Sequence, residues 1–247
     1  MDGIINLYKP VGITSAKALY RVRKIVRQRK SGHAGALDPG ASGVLVLCLG
    51  KATRLVERIM DQPKVYRATA RLDVTSESYD SGEPLVPVEV AAAPTPEVLL
   101  KTCSSFEGDI EQLPPRISAV KIGGVPAYRR VRKGQEFELK PRTAHIYWIH
   151  VHRYEYPELD FEMCCGRGTY VRSLIRDLGE RIGTGGCLTS LLRRCVGPFD
   201  ESNWHTFEEL DAIDDLTECV VSLEHVIRML EARSNVIPAR PGRRPPA

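Results

Sequence analysis

The stretch Ser31–Arg54, SGHAGALDPGASGVLVLCLGKATR, constrains this chain more than any other. Its second half contains the uninterrupted apolar run Val44–Leu49, which reads as a strand. Its first half is a loop holding one carboxylate, Asp38, among Gly32, Gly35, Gly40 and Gly43. Glycine lets a backbone turn sharply and approach a ligand closely, and Pro39 pushes Asp38 into an extended conformation. A rigidly held carboxylate at a strand mouth is the consequence. Asp-Pro-Gly is also ordinary turn chemistry, so the loop by itself fits a surface turn as well as it fits a site.

A chain of 247 residues can bury a substantial core, as one large domain or two small ones. Its 43% hydrophobic and 27% charged residues describe an ordinary soluble globular protein. No apolar run approaches the roughly 18 residues of a membrane span, and the N-terminus has no signal-peptide pattern, so a cytoplasmic protein without a membrane partner is expected. Seven cysteines, an odd number with no C-x-x-C pair, imply neither a disulfide framework nor a zinc site; buried free thiols are expected. Of the histidines, only His150 and His152 share a strand face, and neither has an acidic or cysteine companion nearby, so no metal is expected. Gly50-Lys51-Ala52-Thr53 lacks the upstream glycine of a phosphate loop and no G-x-G-x-x-G occurs, so no nucleotide cofactor is expected either.

The net charge of +4 hides a segregation. Gly3–Leu37 carries eight Lys or Arg and no acid, and Pro114–Arg142 carries eight against two acids, whereas Cys195–Ile227 carries nine Asp or Glu and no Lys or Arg. Clustered bases point to a polyanionic partner, with the acidic segment expected to face away from it; solvated helix faces are the plainer explanation.

Along the chain, Ile4–Tyr8 reads as a strand and Ala18, Leu19, Val22, Ile25 and Val26 as the apolar stripe of a basic helix, capped by Thr14 or Ser15 and stopped by Gly32. A helix is expected over 53–60, a half-buried strand over 65–72 with Tyr66 on its apolar face, and a long polar loop over 74–94 with a short strand near 85–90. Thr95-Pro96 opens a helix to about Phe106. Ile117–Ile122 reads as a strand, Ala127–Lys133 as a short basic helix, and 144–156 with 159–165 as a hairpin. Val171, Leu174, Ile175, Leu178 and Ile182 make the clearest helical stripe, flanked in its first turn by Tyr170 and Arg172. A strand over 188–196 and helices near 207–210 and 223–233 follow. Such irregular alternation with a hairpin predicts an α+β fold around a central, mixed or mostly antiparallel sheet flanked by helices. One domain over 1–232 and a disordered Pro- and Arg-rich tail over 233–247 are expected.

Six motifs then occur in a recognisable order. They are Asn6-Leu7-Tyr8-Lys9-Pro10-Val11-Gly12; Gly32-His33-Ala34-Gly35-Ala36-Leu37-Asp38-Pro39 with its continuation to Thr53; Tyr66-Arg67-Ala68; Gly108-Asp109-Ile110 through Ser118-Ala119-Val120-Lys121; Gly168-Thr169-Tyr170-Val171-Arg172-Ser173-Leu174; and Leu192-Arg193-Arg194. Over residues 3–225 the chain resembles the TruB-type pseudouridine synthases, which isomerise a uridine in the T-arm of tRNA. The resemblance implies the pseudouridine synthase fold and a reaction without redox change, metal or cofactor. It implies that Asp38 is the essential aspartate, acting as a nucleophile toward base or sugar or as the base that takes a sugar proton. Arg172 matches the arginine that pairs with that aspartate, and Tyr66 the residue that stacks on the target uracil. His33 matches the histidine that fills the space left by the flipped base, and Tyr170 and Leu192 match pocket-lining positions. Lys9 and Lys121 lie in motifs at the cleft edge. The chain departs from many members in lacking a C-terminal RNA-binding module of the PUA kind, and it lacks the flanking extensions of the guide-RNA-dependent relatives. A stand-alone, monomeric enzyme with tRNA as its partner and no guide RNA is expected. A non-catalytic tRNA-binding or tRNA-folding protein, and a hydrolase using Asp38, are the competing readings.

Overall fold

A computed structural model describes residues 1–232 and 236–242. In chain order the elements are β1 (Gly3–Lys9), α1 (Ser15–Ile25), β2 (Ser31–His33), β3 (Ser42–Leu49), a 3-10 turn (Gly50–Leu55), α2 (Val56–Met60), β4 (Lys64–Arg71), β5 (Val74–Thr75), β6 (Val86–Pro87), α3 (Pro96–Ser104) and β7 (Gly108–Gln112). They continue with β8 (Lys121–Ile122), β9 (Val125–Pro126), α4 (Ala127–Val131), β10 (Arg142–Glu155), β11 (Glu158–Cys165), α5 (Val171–Ile182), β12 (Cys187–Val196), β13 (Phe199–Asp200), α6 (Phe207–Ala212), β14 (Val221–Ser222) and α7 (Leu223–Ala232). The fold is α+β with mostly antiparallel pairing, as the sequence predicts, and it divides into two compact units.

The first unit joins Met1–Tyr66 to Leu191–Ala239. The apolar run of β3 is its centre, because seven of its eight residues are buried and its alternate side chains fill two different cores. Val44, Val46 and Cys48 face Ala52, Leu55, Ile59 of α2 and Val226 and Leu230 of α7. Leu45, Leu47 and Leu49 face Ala18 and Val22 of α1 and Phe207 and Leu210 of α6. Period-two alternation thus places helices on both faces of one short sheet. Antiparallel β1 pairs with β3 along its whole length, from Gly3 opposite Leu49 to Lys9 opposite Gly43. β14 extends the sheet beyond β1. β2 also lies antiparallel to β3, with Ser31 opposite Leu49 and His33 opposite Leu47, while β12 lies parallel to its start, with Leu192 opposite Ser42 and Arg193 opposite Gly43. The loop carrying Asp38 therefore leaves one strand beside β3 and re-enters β3 itself.

The second unit spans Arg67–Ser190 with Arg240–Ala247. The β10–β11 hairpin is its main feature, with β7 antiparallel on the far side of β10. Its helices α3 and α5 bury Cys103, Leu174, Ile175 and Leu178 against Phe161 and Leu159 of the hairpin, around a void with room for about one water-sized sphere.

Several sequence expectations shift in detail. Helix α1 ends at Ile25, well before Gly32, because Arg27 adopts a left-handed conformation (φ 48°) and Ser31–His33 is recruited as β2. Only Lys121–Ile122 of the expected 117–122 strand is regular, and β7 was not anticipated. Part of the acidic segment packs against the basic helix. Arg21 of α1 lies 2.8 Å from Asp211 and 4.0 Å from Glu208 of α6, with its guanidinium 4.2 Å over the Phe207 ring, so unlike charges pair across the packed helices. All seven cysteines are buried, and burial pushes the Cys48 and Cys103 thiols up to about 12. Within the expected tail, 233–235 and 243–247 lie outside the described residues; 236–242 hold no helix or strand, and Arg240 pairs with the Glu107 carboxylate.

Candidate active site

In the first unit Asp38 heads a tight turn whose Ala41 N–H donates to the Asp38 carbonyl at 3.1 Å, while Gly12 N–H donates to Pro39 O at 2.8 Å. The turn reading and the site reading of the sequence describe the same backbone. Asp38 is exposed, but the residue before it is gripped: Leu37 N–H donates to Ser15 Oγ at 2.8 Å, and Ser15 Oγ donates to Leu37 O at 2.9 Å. Thr14, not Ser15, caps α1, leaving the Ser15 hydroxyl for the loop. From the other side comes Arg193, which is 1% exposed. Its guanidinium donates to Val44 O at 2.8 Å, Gly35 O at 3.0 Å and Ala36 O at 3.4 Å. A buried guanidinium satisfied by loop carbonyls fixes the backbone between Gly35 and Val44.

Lys9 and His33 share this environment. Lys9 is fully buried, and its ammonium donates to Pro10 O at 2.8 Å and Ile13 O at 2.9 Å. Burial pulls its pKa down to about 8, against the raising effect of the Asp38 charge and with a further lowering by Arg193. Burial and the Arg193 charge likewise hold the His33 imidazole below its ordinary value, so it is neutral at pH 7. Its Nδ1 is buried without a hydrogen-bond partner. Leu192 is half-buried where β12 meets the start of β3, and Tyr66 is 8% exposed at the end of the unit's share of β4.

Tyr170, Arg172 and Lys121 belong to the second unit. Tyr170 is the residue before α5, held by reciprocal amide contacts: its N–H donates to Gln112 Oε1 at 2.8 Å and its carbonyl accepts from Gln112 Nε2 at 3.1 Å. Arg172 is buried; it donates to Ser78 O at 2.8 Å and Ile117 O at 3.0 Å, and its Nε lies 3.4 Å from Asp80 Oδ2. Asp80 in turn accepts from Ser78 Oγ at 2.7 Å and Gly82 N–H at 3.0 Å. Lys121 is exposed on β8. Beyond it lies a surface of cations beside aromatic rings: Arg129 and Arg132 lie 5.9 and 5.8 Å from the Tyr128 ring, and Arg116 lies 4.9 Å from Phe137.

Sequence reasoning did not single out Ser15, Arg193 or Asp80 as site residues. Arg193 stood inside a quoted motif, and only its burial reveals its task. Ser15 carried a signal for a cap. Asp80 sat in a polar loop with nothing local to distinguish it.

Two family profiles match the chain: TruB family pseudouridylate synthase (N terminal domain) over residues 23–171, and tRNA pseudouridylate synthase B C-terminal domain over 172–232. Among similar proteins, a tRNA pseudouridine synthase B of Dehalococcoides mccartyi is 41% identical over 96% of this chain and 78% of its own length. One of Clostridium acetobutylicum is 37% identical over 91% and 77%. Among solved structures, a chain of a Cbf5-Nop10-Gar1 complex superposes with a TM-score of 0.70 at 30% identity, covering 92% of this chain and 62% of that one. A chain of an H/ACA RNP bound to a substrate RNA containing 2'-deoxyuridine superposes with a TM-score of 0.64 at 28% identity, covering 89% and 58%.

Proposed function

This chain belongs to the TruB family of tRNA pseudouridine synthases, which are isomerases, and we propose that it converts the uridine at position 55 of the tRNA T-loop to pseudouridine with Asp38 as the essential carboxylate. The reaction breaks the bond from N1 of uracil to C1' of the ribose and forms one from C5 to C1'. The C5 proton departs and N1 gains one, so atoms balance without redox chemistry. Asp38 serves as a nucleophile toward base or sugar, or as the base on a sugar proton; each role needs an ionised carboxylate held within bonding reach of one nucleoside.

The observation that carries the reading is the mounting of Asp38: an exposed carboxylate on a turn pinned by the Ser15 hydroxyl and the buried Arg193 guanidinium. A solvated surface turn has no need of a fully buried arginine beneath it. The remaining roles follow the family pattern. Arg172 supplies the cation for the Asp38 carboxylate, Tyr66 stacks on the uracil and takes the C5 proton, and Tyr170 and Leu192 line the pocket. Flipping the base costs a few kcal/mol of stacking, which His33 offsets by entering the gap. A neutral imidazole suits that task, since it stacks without carrying charge into a stacked helix. Lys9 supports the loop entry, and Lys121 with Arg129, Arg132 and Lys133 meets RNA phosphates, so recognition rests on T-arm shape more than on sequence.

In this reading residues 1–232 act as one catalytic domain, and the protein works in the cytoplasm as a monomer without guide RNA or cofactor. Among the described residues no helix is long and apolar enough to cross a membrane. The test is tritium release from tRNA labelled at C5 of uridine. Wild type releases one equivalent without added cofactor, and Asp38→Asn releases none while binding tRNA within about threefold of wild type. No release by wild type at low salt overturns the enzymatic reading in favour of a tRNA-binding protein, and release by Asp38→Asn means the carboxylate is misassigned.

A further inference from the structure

Helix α1 carries a stripe that the catalytic reading leaves unused. At 100° per residue, Lys17, Tyr20 and Lys24 fall within about 60° of arc, opposite the buried line of Ala18 and Val22. Tyr20 is 57% exposed, the only aromatic among the exposed large apolar side chains of the described residues. The Lys24 ammonium lies 4.6 Å from the centre of its ring, and exposed Arg27 follows just past the helix end. Arg21, by contrast, lies on the flank toward α6 and is engaged by Asp211 and Phe207, so the core-facing and free faces divide the helix's cations between them. No acid occurs between Gly3 and Leu37 to neutralise the free face.

An exposed tyrosine with cations before and after it is poor chemistry for a merely solvated surface, since most of the ring's apolar area stays in water. It is good chemistry for an unpaired nucleotide: the ring takes a base on its open face and the ammonium and guanidinium groups take the flanking phosphates. The stripe is also tied to the catalytic loop. Ser15, which opens α1, bonds Leu37 next to Asp38, and a rise of 1.5 Å per residue carries Tyr20 about 8 Å and Lys24 about 14 Å further along the helix. That displacement separates the nucleotide at Tyr20 from the one that reacts. Lys17 and Tyr20 also precede residue 23, where the family profile begins to match.

We infer that Lys17, Tyr20, Lys24 and Arg27 form a second RNA contact, which stacks an unpaired nucleotide of the substrate RNA other than the isomerised uridine. The inference rests on RNA being the substrate, as proposed above. Its test compares wild type, Tyr20→Phe, Tyr20→Ala and the triple variant K17A/K24A/R27A. Binding is measured to tRNA, to single-stranded oligouridine and to duplex RNA, and tritium release at saturating tRNA. Tyr20→Ala is expected to weaken tRNA and oligouridine binding about 5- to 150-fold, with duplex affinity and the saturated rate unchanged and Tyr20→Phe close to wild type. The triple variant is expected to make the slope of log affinity against log salt on oligouridine shallower by about two. Wild-type affinity of Tyr20→Ala for tRNA and oligouridine, or equal loss in Tyr20→Phe, overturns the stacking contact while leaving the isomerase reading intact. Absence of tritium release by wild type fails that reading instead, whatever Tyr20 does.

Discussion

Lys9 and Asp80 show how single side chains set the conditions for the chemistry. Lys9 has no exposed surface, and its pKa of about 8 in the fold compares with 10.5 for a free lysine. Below pH 8 both folded and unfolded chains carry the proton, and the fold bears the full cost of a buried ammonium. Between pH 8 and 10.5 the unfolded chain binds more protons than the folded one, so stability rises with pH over that window. Urea unfolding of wild type and Lys9→Met from pH 7 to 10.5 should therefore give a stability difference that is flat below pH 8 and then moves in favour of wild type. A difference flat throughout would mean that Lys9 is not desolvated. Asp80 provides a carboxylate for buried Arg172, which also donates to the Ser78 and Ile117 carbonyls. In Asp80→Asn the guanidinium keeps its position but loses a counter-charge. We expect kcat to fall by at least about tenfold and unfolding free energy by about 1–3 kcal/mol, with tRNA affinity much less affected. Equal loss of kcat and affinity would mean that Asp80 holds RNA and not the arginine.

At the scale of elements, what the sequence disclosed was what periodicity encodes. Strand β3 carries a continuous apolar run, the hairpin β10–β11 an alternation interrupted by two register shifts and helix α5 an unbroken 3.6-residue stripe, and each lies close to its expected span. Strand β7 was missed because Gly108-Asp109-Ile110-Glu111-Gln112 offers one apolar side chain, and only its pairing with β10 makes it a strand. The early end of α1 was missed for a similar reason: Gly32 looks like a stop, but β3 claims Ser31–His33 first. For the site, motifs supplied Asp38 and its companions, whereas the tasks of Arg193 and Ser15, which act on backbone atoms distant in sequence, show only in the fold. Gly43 joins the two levels. Its φ is +105°, and a Cβ there would lie 2.2 Å from the Arg193 carbonyl on the parallel strand β12. Gly43→Ala should therefore cost several kcal/mol and displace the Asp38 loop, lowering both melting temperature and turnover. Gly40→Ala meets nothing within 4 Å and should leave stability within about 0.5 kcal/mol of wild type. If the two variants melt alike, the close approach of β3 to β12 is not a structural constraint.

On the scale of the whole molecule, the unit that holds Asp38 is assembled from the two ends of the chain. Asn6 donates to Asp200 O at 2.9 Å across 194 residues, and β1 is flanked by β3 from the N-terminal segment and β14 from the C-terminal one. Helix α7 completes the core on one face of β3, where Val226 is 0% and Leu230 2% exposed beside Ile4, Val44, Val46 and Cys48. Burying two such side chains stabilises by about 1.5–3 kcal/mol each, and losing β14 also strips pairing from the edge of β1. Their sum is comparable with the roughly 5–15 kcal/mol that holds a whole domain together. A chain ending after Ile213 should therefore lose cooperative unfolding and Asp38-dependent turnover together, although every candidate site residue is still present. Ending the chain after Ala232 removes 236–242 and the Arg240–Glu107 pair, a partly exposed contact of the kind worth no more than about 1 kcal/mol, so that protein should melt within a few degrees of the full chain. Calorimetry on the two truncations separates the cases. A chain ending after Ile213 that melts as a single sharp transition near the full-length temperature would show that the Asp38 loop is supported by β1, β3 and β12 alone.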